Sequence, residues 1–142
     1  MPPCCCLIEL AGLVGVIVDI VFNYIMEVYM PLRTLICGGR AYNDINTFYD
    51  VLNKFDIEEI ITGCANGADK MAREFAIHRN IPLDVHKAKW KVHGRAAGPI
   101  RNTQMILQKP DLVLAFPGGK GTRNMITQAN SHNIFVYKIN GE

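Results

Sequence analysis

The first 29 residues of this 142-residue chain contain no lysine or arginine, and the stretch between Val85 and Pro110 contains no aspartate or glutamate. The first absence argues against a membrane span there, since no cation precedes the apolar run to orient it or to form the basic start of a signal. Cysteine is sparse and badly placed for crosslinking: Cys4, Cys5 and Cys6 are adjacent, while Cys37 and Cys64 stand alone. A disulfide scaffold is thereby excluded, and a reducing cytoplasm is the expected location. Neither the cysteines nor His78, His86, His93 and His132 supply two ligand pairs at zinc-site spacing, so no metal is expected. There is no Walker loop and no Gly-x-Gly-x-x-Gly, which removes the two commonest nucleotide fingerprints. No Ser-His-Asp or Cys-His arrangement can be read locally, and catalytic residues stay unassigned. No internal repeat or linker interrupts the chain, and its 49% hydrophobic content excludes disorder.

What is present divides in two. Residues 1–29 carry Glu9, Asp19 and Glu27 as their only charges, whereas residues 30–142 hold all 15 Lys and Arg of the chain. Leu7 to Met26 is a mostly apolar run of about the length that spans a bilayer. Asp19 near its middle would cost about 2.5–3.5 kcal/mol there, so a membrane anchor is the least favoured reading. In helical projection Asp19, Asn23 and Glu27 form one polar stripe, as in a helix packed against protein. Residues 1–29 are therefore read as a hydrophobic N-terminal extension, with two alternatives: a docking or oligomer-forming helix, or an upstream extension of the reading frame ahead of Met30.

Residues 30–142 are the right size for one domain and alternate strand with helix. Leu32 to Cys37 reads as a first strand, followed by a helix behind a capping Asp44 with Ile45, Phe48, Leu52 and Phe55 at helical spacing. A second strand, Ile57 to Thr62, leads to a helix from Ala68 to Asn80. Ile81 to His86 is a third strand, placed near an edge because Pro82 cannot donate to a ladder. Pro99 opens a helix reaching Gln108, Asp111 to Phe116 is the fourth strand, and a helix ending near His132 precedes the fifth, Ile134 to Ile139. This alternation predicts an α/β fold: a three-layer, doubly wound parallel sheet of about five strands with right-handed crossovers.

In such sheets ligands bind beyond the carboxyl ends of the strands. Three glycine clusters fall there: Gly38-Gly39-Arg40, Gly63-Cys64-Ala65-Asn66-Gly67, and Pro117-Gly118-Gly119-Lys120-Gly121-Thr122. Glycines before a helix let backbone N–H groups approach an anion, and the helix dipole favours the same charge. The third cluster is the strongest phosphate candidate; its alternative is a tight loop with Thr122 as an ordinary N-cap. Arg40 and Arg101 are the guanidinium groups placed to grip phosphate oxygens. Asp69, in a first helical turn, either complements the dipole or accepts from ribose hydroxyls.

The acid-free stretch carries Lys87, Lys89, Lys91, Arg95, Arg101 and Lys109. In an extended segment Lys87, Lys89 and Lys91 share one side, with Trp90 among them as a stacking surface for a base. The alternative is a solvated basic loop; either way an anionic ligand or nucleic-acid backbone is favoured over a cationic partner. Cys64 follows a strand near a helix start, and reads best as a small buried thiol.

Leu35-Ile36-Cys37-Gly38-Gly39-Arg40-Ala41-Tyr42, Gly63 to Asp69, Trp90 to Asn102 and Ala115 to Thr122 together resemble the YspA-type, cpYpsA-related branch of the SLOG superfamily. The resemblance covers nearly all of residues 32–139 and leaves residues 1–29 outside. It implies a Rossmann-like domain of bacterial or phage origin, binding a nucleotide or nucleotide-derived ligand; no cofactor is required of it, and a homo-oligomer is the expected assembly. The implied ligand contacts are Gly38, Gly39, Arg40, Gly63, Ala65, Gly67, Asp69, Arg101, Asn102 and Pro117 to Thr122. The Pro-Gly-Gly-x-Gly-Thr loop with Arg101 and Met105 is also similar to the cytokinin-activating phosphoribohydrolases (LOG), which cleave base from ribose 5′-monophosphate. Those enzymes have Glu three residues after the Thr, where this chain has Met125, and Lys after the Arg, where it has Asn102. Gly63 to Asp69 and Arg101-Asn102 further resemble DprA, which binds single-stranded DNA. Ligand binding is the first reading; hydrolysis of an N-glycosidic or phosphate bond and single-stranded nucleic-acid binding are the alternatives.

Overall fold

The computed structural model describes residues 16–21 and 31–140. The chain divides into two compact units, one ending at Met30 and the other starting at Pro31. Of the first, residues 16–21 are helical, with Val16, Ile17, Val18, Ile20 and Val21 exposed. The rest of the Leu7 to Met26 run lies outside the described residues. Among the described residues no helix is long and apolar enough to cross a membrane.

The second unit is a five-stranded, all-parallel sheet in the order β3-β2-β1-β4-β5, formed by β1 (Leu32–Cys37), β2 (Ile57–Gly63), β3 (Leu83–His86), β4 (Leu112–Ala115) and β5 (Phe135–Lys138). The long helices are α1 (Ile45–Leu52), α2 (Ala68–Arg79), α4 (Ala97–Ile106) and α5 (Lys120–Ser131); a short turn of helix, α3 (Trp90–His93), and a 3₁₀ turn (Gly94–Ala96) lead into α4. Chain order reverses between β1 and β4, which makes their shared carboxyl end the switch point of a Rossmann-like α/β fold.

Central strands read as unbroken apolar runs because both faces are covered. In β1 and β4, Ile36, Leu112 and Leu114 join Phe48, Val51, Ala72 and Phe75 of α1 and α2 in one cluster. Leu35, Cys37, Val113 and Ala115 point the other way, onto Met105, Ile106, Met125 and Ala129 of α4 and α5. The period-two alternation thus splits each strand between two cores and gives three layers. Phe48 is the centre of the first, fully buried, with its ring stacked 4.7 Å from Phe116 at 27° and edge-on to Phe75 at 6.5 Å. At the opposite end of the sheet Arg33 joins three segments: its Nε donates to Glu59 (2.7 Å), its guanidinium to the Gln108 carbonyl (2.6 Å), and its backbone N–H to Asp111 (2.9 Å).

Local chemistry explains the boundaries and several departures from expectation. Asp44 caps α1, accepting from Thr47 N–H (3.1 Å) and Oγ1 (2.6 Å). Ile45, expected on the buried face, is the first helical residue and is exposed, while Phe55 falls beyond the helix end and packs edge-on to Tyr137 at 5.6 Å. β3 is an edge strand as Pro82 requires, but starts after it: the Pro82 carbonyl accepts from Ile60 N–H (2.9 Å), and a proline has no N–H to continue the exchange. Pro99 is the third residue of α4, where its missing N–H still belongs to the unsatisfied first turn. The extended, one-sided arrangement of Lys87, Lys89 and Lys91 is not formed. The Lys89 carbonyl accepts from both Val92 and His93 N–H at 3.0 Å, so the chain coils at once into α3 and Lys91 leaves the line.

Truncating Phe48 to Ala removes one ring of the Phe48, Phe75 and Phe116 stack and leaves a cavity under the switch-point loop. A loss of about 3–5 kcal/mol in unfolding free energy is expected from urea denaturation.

Candidate functional site

The loops leaving β1 and β4 are joined backbone to backbone. Phe116 N–H donates to the Cys37 carbonyl and Gly39 N–H to the Pro117 carbonyl, both at 2.9 Å. This approach has no room for side chains: a Cβ on Gly38 would lie 2.6 Å from Ala68 Cβ and 2.8 Å from Phe116 Cβ, and one on Gly118 would lie 2.6 Å from Gly39 N. The β2 loop is seated on the same point. Gly67, at φ +73°, lies against the Gly39 and Arg40 backbone, a conformation L-residues rarely adopt. Arg73, one helical turn after Asp69, fixes this loop by donating to the carbonyls of Gly63 (2.9 Å) and Ala65 (3.1 Å).

Above the joined loops is a cleft of about 870 Å³, a size suited to a small organic ligand. It receives Gly38, Gly39 and Arg40 from the first cluster, Ala65 and Asp69 from the second, Arg101 and Asn102 from α4, and Gly119, Lys120, Gly121 and Thr122 from the third. Gly63, Gly67, Pro117 and Gly118 are not on its wall; the missing Cβ atoms of the three glycines let the loops approach one another and make room for the Asp69–Arg101 pair. The basic stretch contributes Lys87, Trp90 and Arg95 to the lining. Five cations (Arg40, Lys87, Arg95, Arg101, Lys120) thus face the cleft against one carboxylate, Asp69. Among the described residues no group of three or more His, Cys, Asp or Glu is placed to hold a metal.

The helix ends carry the same polarity. α1, which does not border the cleft, has a side-chain cap; α2, α4 and α5, which do, have none. Thr122 is not the N-cap of α5. Gly119 holds that position, and Thr122, the third helical residue, is buried beneath Gly118. Added Cβ atoms on Gly119 and Gly121 would meet nothing within 4 Å, so the first turn of α5 stands open to the cleft. Its position is set by Asn102, whose Nδ2 donates to the Gly121 carbonyl (3.2 Å) and to Asn124 Oδ1 (3.0 Å). Asn124 also accepts from Gln128 (2.8 Å) and lines the cleft. No motif marks Asn124 or Arg73; their only cue is helical spacing from Gly121 and Asp69.

Two cysteines border the cleft. Burial pushes the Cys37 thiol up to about 12, leaving it protonated and unreactive at neutral pH. Cys64 is exposed, contrary to the buried thiol read from sequence, because it is carried on the loop rather than at the strand end. Met125, at the position of the phosphoribohydrolase Glu, is fully buried among Leu35, Met105 and Val113, away from the cleft wall.

Residues 32–93 match the model of the YspA, cpYpsA-related SLOG family. The Gene 61 protein of Mycobacterium phage D29 is 33% identical over 117 residues, 73% of this chain and 93% of that protein. The chain belongs to the YspA, cpYpsA-related SLOG family. No solved structure matches it. The family match ends at His93, so the α4 and α5 side of this SLOG site rests on the geometry described above.

Asp69 of this SLOG chain sits at the base of the cleft, with Arg101 Nη1 3.8 Å away and the Ala65 N–H donating to it at 3.4 Å. Burial raises its carboxyl above the ordinary range, while Arg101, the Ala65 N–H and Arg73 pull it back down. The folded protein therefore keeps this proton to higher pH than the unfolded chain does. Its contribution to stability is complete below the unfolded value of about 4 and declines as pH rises through the folded value. Asp69→Asn cannot ionise and should lack that decline. In urea titrations stepped upward from about pH 3.5, the wild type should lose stability relative to Asp69→Asn; a relative gain would mean that Arg101 outweighs desolvation.

Proposed function

We propose that this chain binds a nucleotide or nucleotide-derived ligand in the switch-point cleft, with phosphate at the first turn of α5 between Arg40 and Arg101 and ribose toward Asp69. The observation that carries the reading is the convergence of five cations and the open, uncapped N-terminus of α5 on one cleft of ligand size. Helix N–H groups and guanidinium forks both complement phosphate oxygens, and a single carboxylate at the base suits hydroxyls rather than phosphate. The SLOG relationship supports nucleotide-related binding in general, and the phage relative fits the expected origin.

Hydrolysis is the weaker reading because Met125 puts a thioether in the core where a phosphoribohydrolase has its carboxylate. Incubation with nucleoside 5′-monophosphates should release little free base, and rapid release by chromatographic assay would reverse that order.

Gly119→Asp tests the phosphate position without disturbing the fold. Space at Gly119 is open, and Asp is at least as good an N-cap as Gly. Unfolding free energy should hold or rise by a few tenths of a kcal/mol, while nucleotide binding measured by calorimetry should fall by at least about tenfold, one repelled phosphate contact of 1.4 kcal/mol or more. Unchanged binding in a folded variant would place phosphate elsewhere.

A further inference from the structure

Trp90 is the only tryptophan of the chain and lines the cleft from α3, with its ring half-exposed. The extended lysine run that would have offered it as a stacking surface is not formed, the phosphate and ribose contacts proposed above give it no task, and its burial explains little, since α3 contributes no residue to either core. Arg40, from the β1 loop, stands over its ring, the guanidinium carbon 5.7 Å from the centroid. The edge of the ring lies close to Gly98 at the start of α4, where an added Cβ would touch it at 3.4 Å. The indole thus rests its edge on α4 and turns a face to Arg40, which also lines the cleft.

Arg40 is loosely held there. Among the described residues it has no carboxylate within 4 Å and makes no side-chain hydrogen bond, unlike Arg33, Arg73 and Arg101. Flat groups stack about 3.5 Å apart, so a 5.7 Å gap cannot admit a third ring between guanidinium and indole. A base can use this face only by replacing Arg40. The displaced guanidinium stays on the cleft wall, where a phosphate is a stronger partner than an indole face.

We propose that Trp90 is the base-recognition residue of this site: the aromatic base of a nucleotide stacks on the indole face that Arg40 covers in the free protein, and Arg40 passes to the phosphate. This rests on the nucleotide reading above and narrows it, making the base, and not only the sugar phosphate, a source of affinity. Binding and rearrangement are one exchange of partners, with no covalent step.

The test uses the full chain with AMP, ribose 5-phosphate and inorganic phosphate. AMP should quench Trp90 fluorescence and bind on the order of tenfold tighter than ribose 5-phosphate by calorimetry, as base-on-aromatic stacking contributes. Trp90→Leu should lower AMP affinity to that of ribose 5-phosphate without weakening ribose 5-phosphate binding, whereas Trp90→Phe should keep most of the AMP preference. The variants should fold, because a half-exposed ring outside both cores is being exchanged. Equal binding of AMP and ribose 5-phosphate, both indifferent to Trp90→Leu, would overturn the base platform and leave the phosphate site standing. Failure of all three ligands to bind would overturn both.

Discussion

The site depends on the close approach of two backbone segments, the loops that leave β1 and β4. Their paired hydrogen bonds, Phe116 to Cys37 and Gly39 to Pro117, continue the β1–β4 pairing past the last strand residues. That continuation is possible only where Cβ atoms are missing, at Gly38 and Gly118. Once the loops are joined, the start of α2 is seated on them through Gly67 and the start of α5 follows directly from them. Three helix N-termini then converge because in a parallel sheet every connecting helix starts from the edge where the strands end. The cleft is what remains above that convergence.

Charge is distributed to suit the cleft. Asp69 is buried at its base beside Arg101, and four further cations are spread along its walls. One buried carboxylate keeps Arg101 in place without neutralising the cleft as a whole. The desolvation that raises the Asp69 carboxyl is the cost of putting that anchor under the loops. Asn102 and Asn124 perform a similar service with neutral groups, tying α4 to the first turn of α5 without adding negative charge where an anion is to bind. Near α1, away from the cleft, an acidic cap at Asp44 is tolerated.

Much of this could be read in advance. The strand runs, the edge position of β3 from Pro82, the Asp44 cap and the three glycine clusters at one sheet edge all follow from residue type and spacing, because backbone chemistry is local. The site residues divided less predictably. Gly38, Gly63, Gly67 and Gly118 share a composition signature with Gly119 and Gly121, yet the first four serve close packing and the last two face open space. A glycine reads alike whether its missing Cβ makes way for backbone or for a ligand. A period of two puts Lys87, Lys89 and Lys91 on one side of an extended chain, and the α3 turn breaks that period.

The sequence by itself determined a parallel α/β sheet, its crossovers, and the edge at which a ligand site would form, since these follow from apolar periodicity and from where glycine and proline interrupt it. It also determined the basic character of the site, because no acidic residue falls between Val85 and Pro110. Only the tertiary structure decided that Trp90 and Arg95 line the same cleft as Gly119, that Arg40 covers the indole, and that Met125 is core rather than site. Those are relations between segments distant along the chain, and their distances exist only once the sheet has brought the loops together.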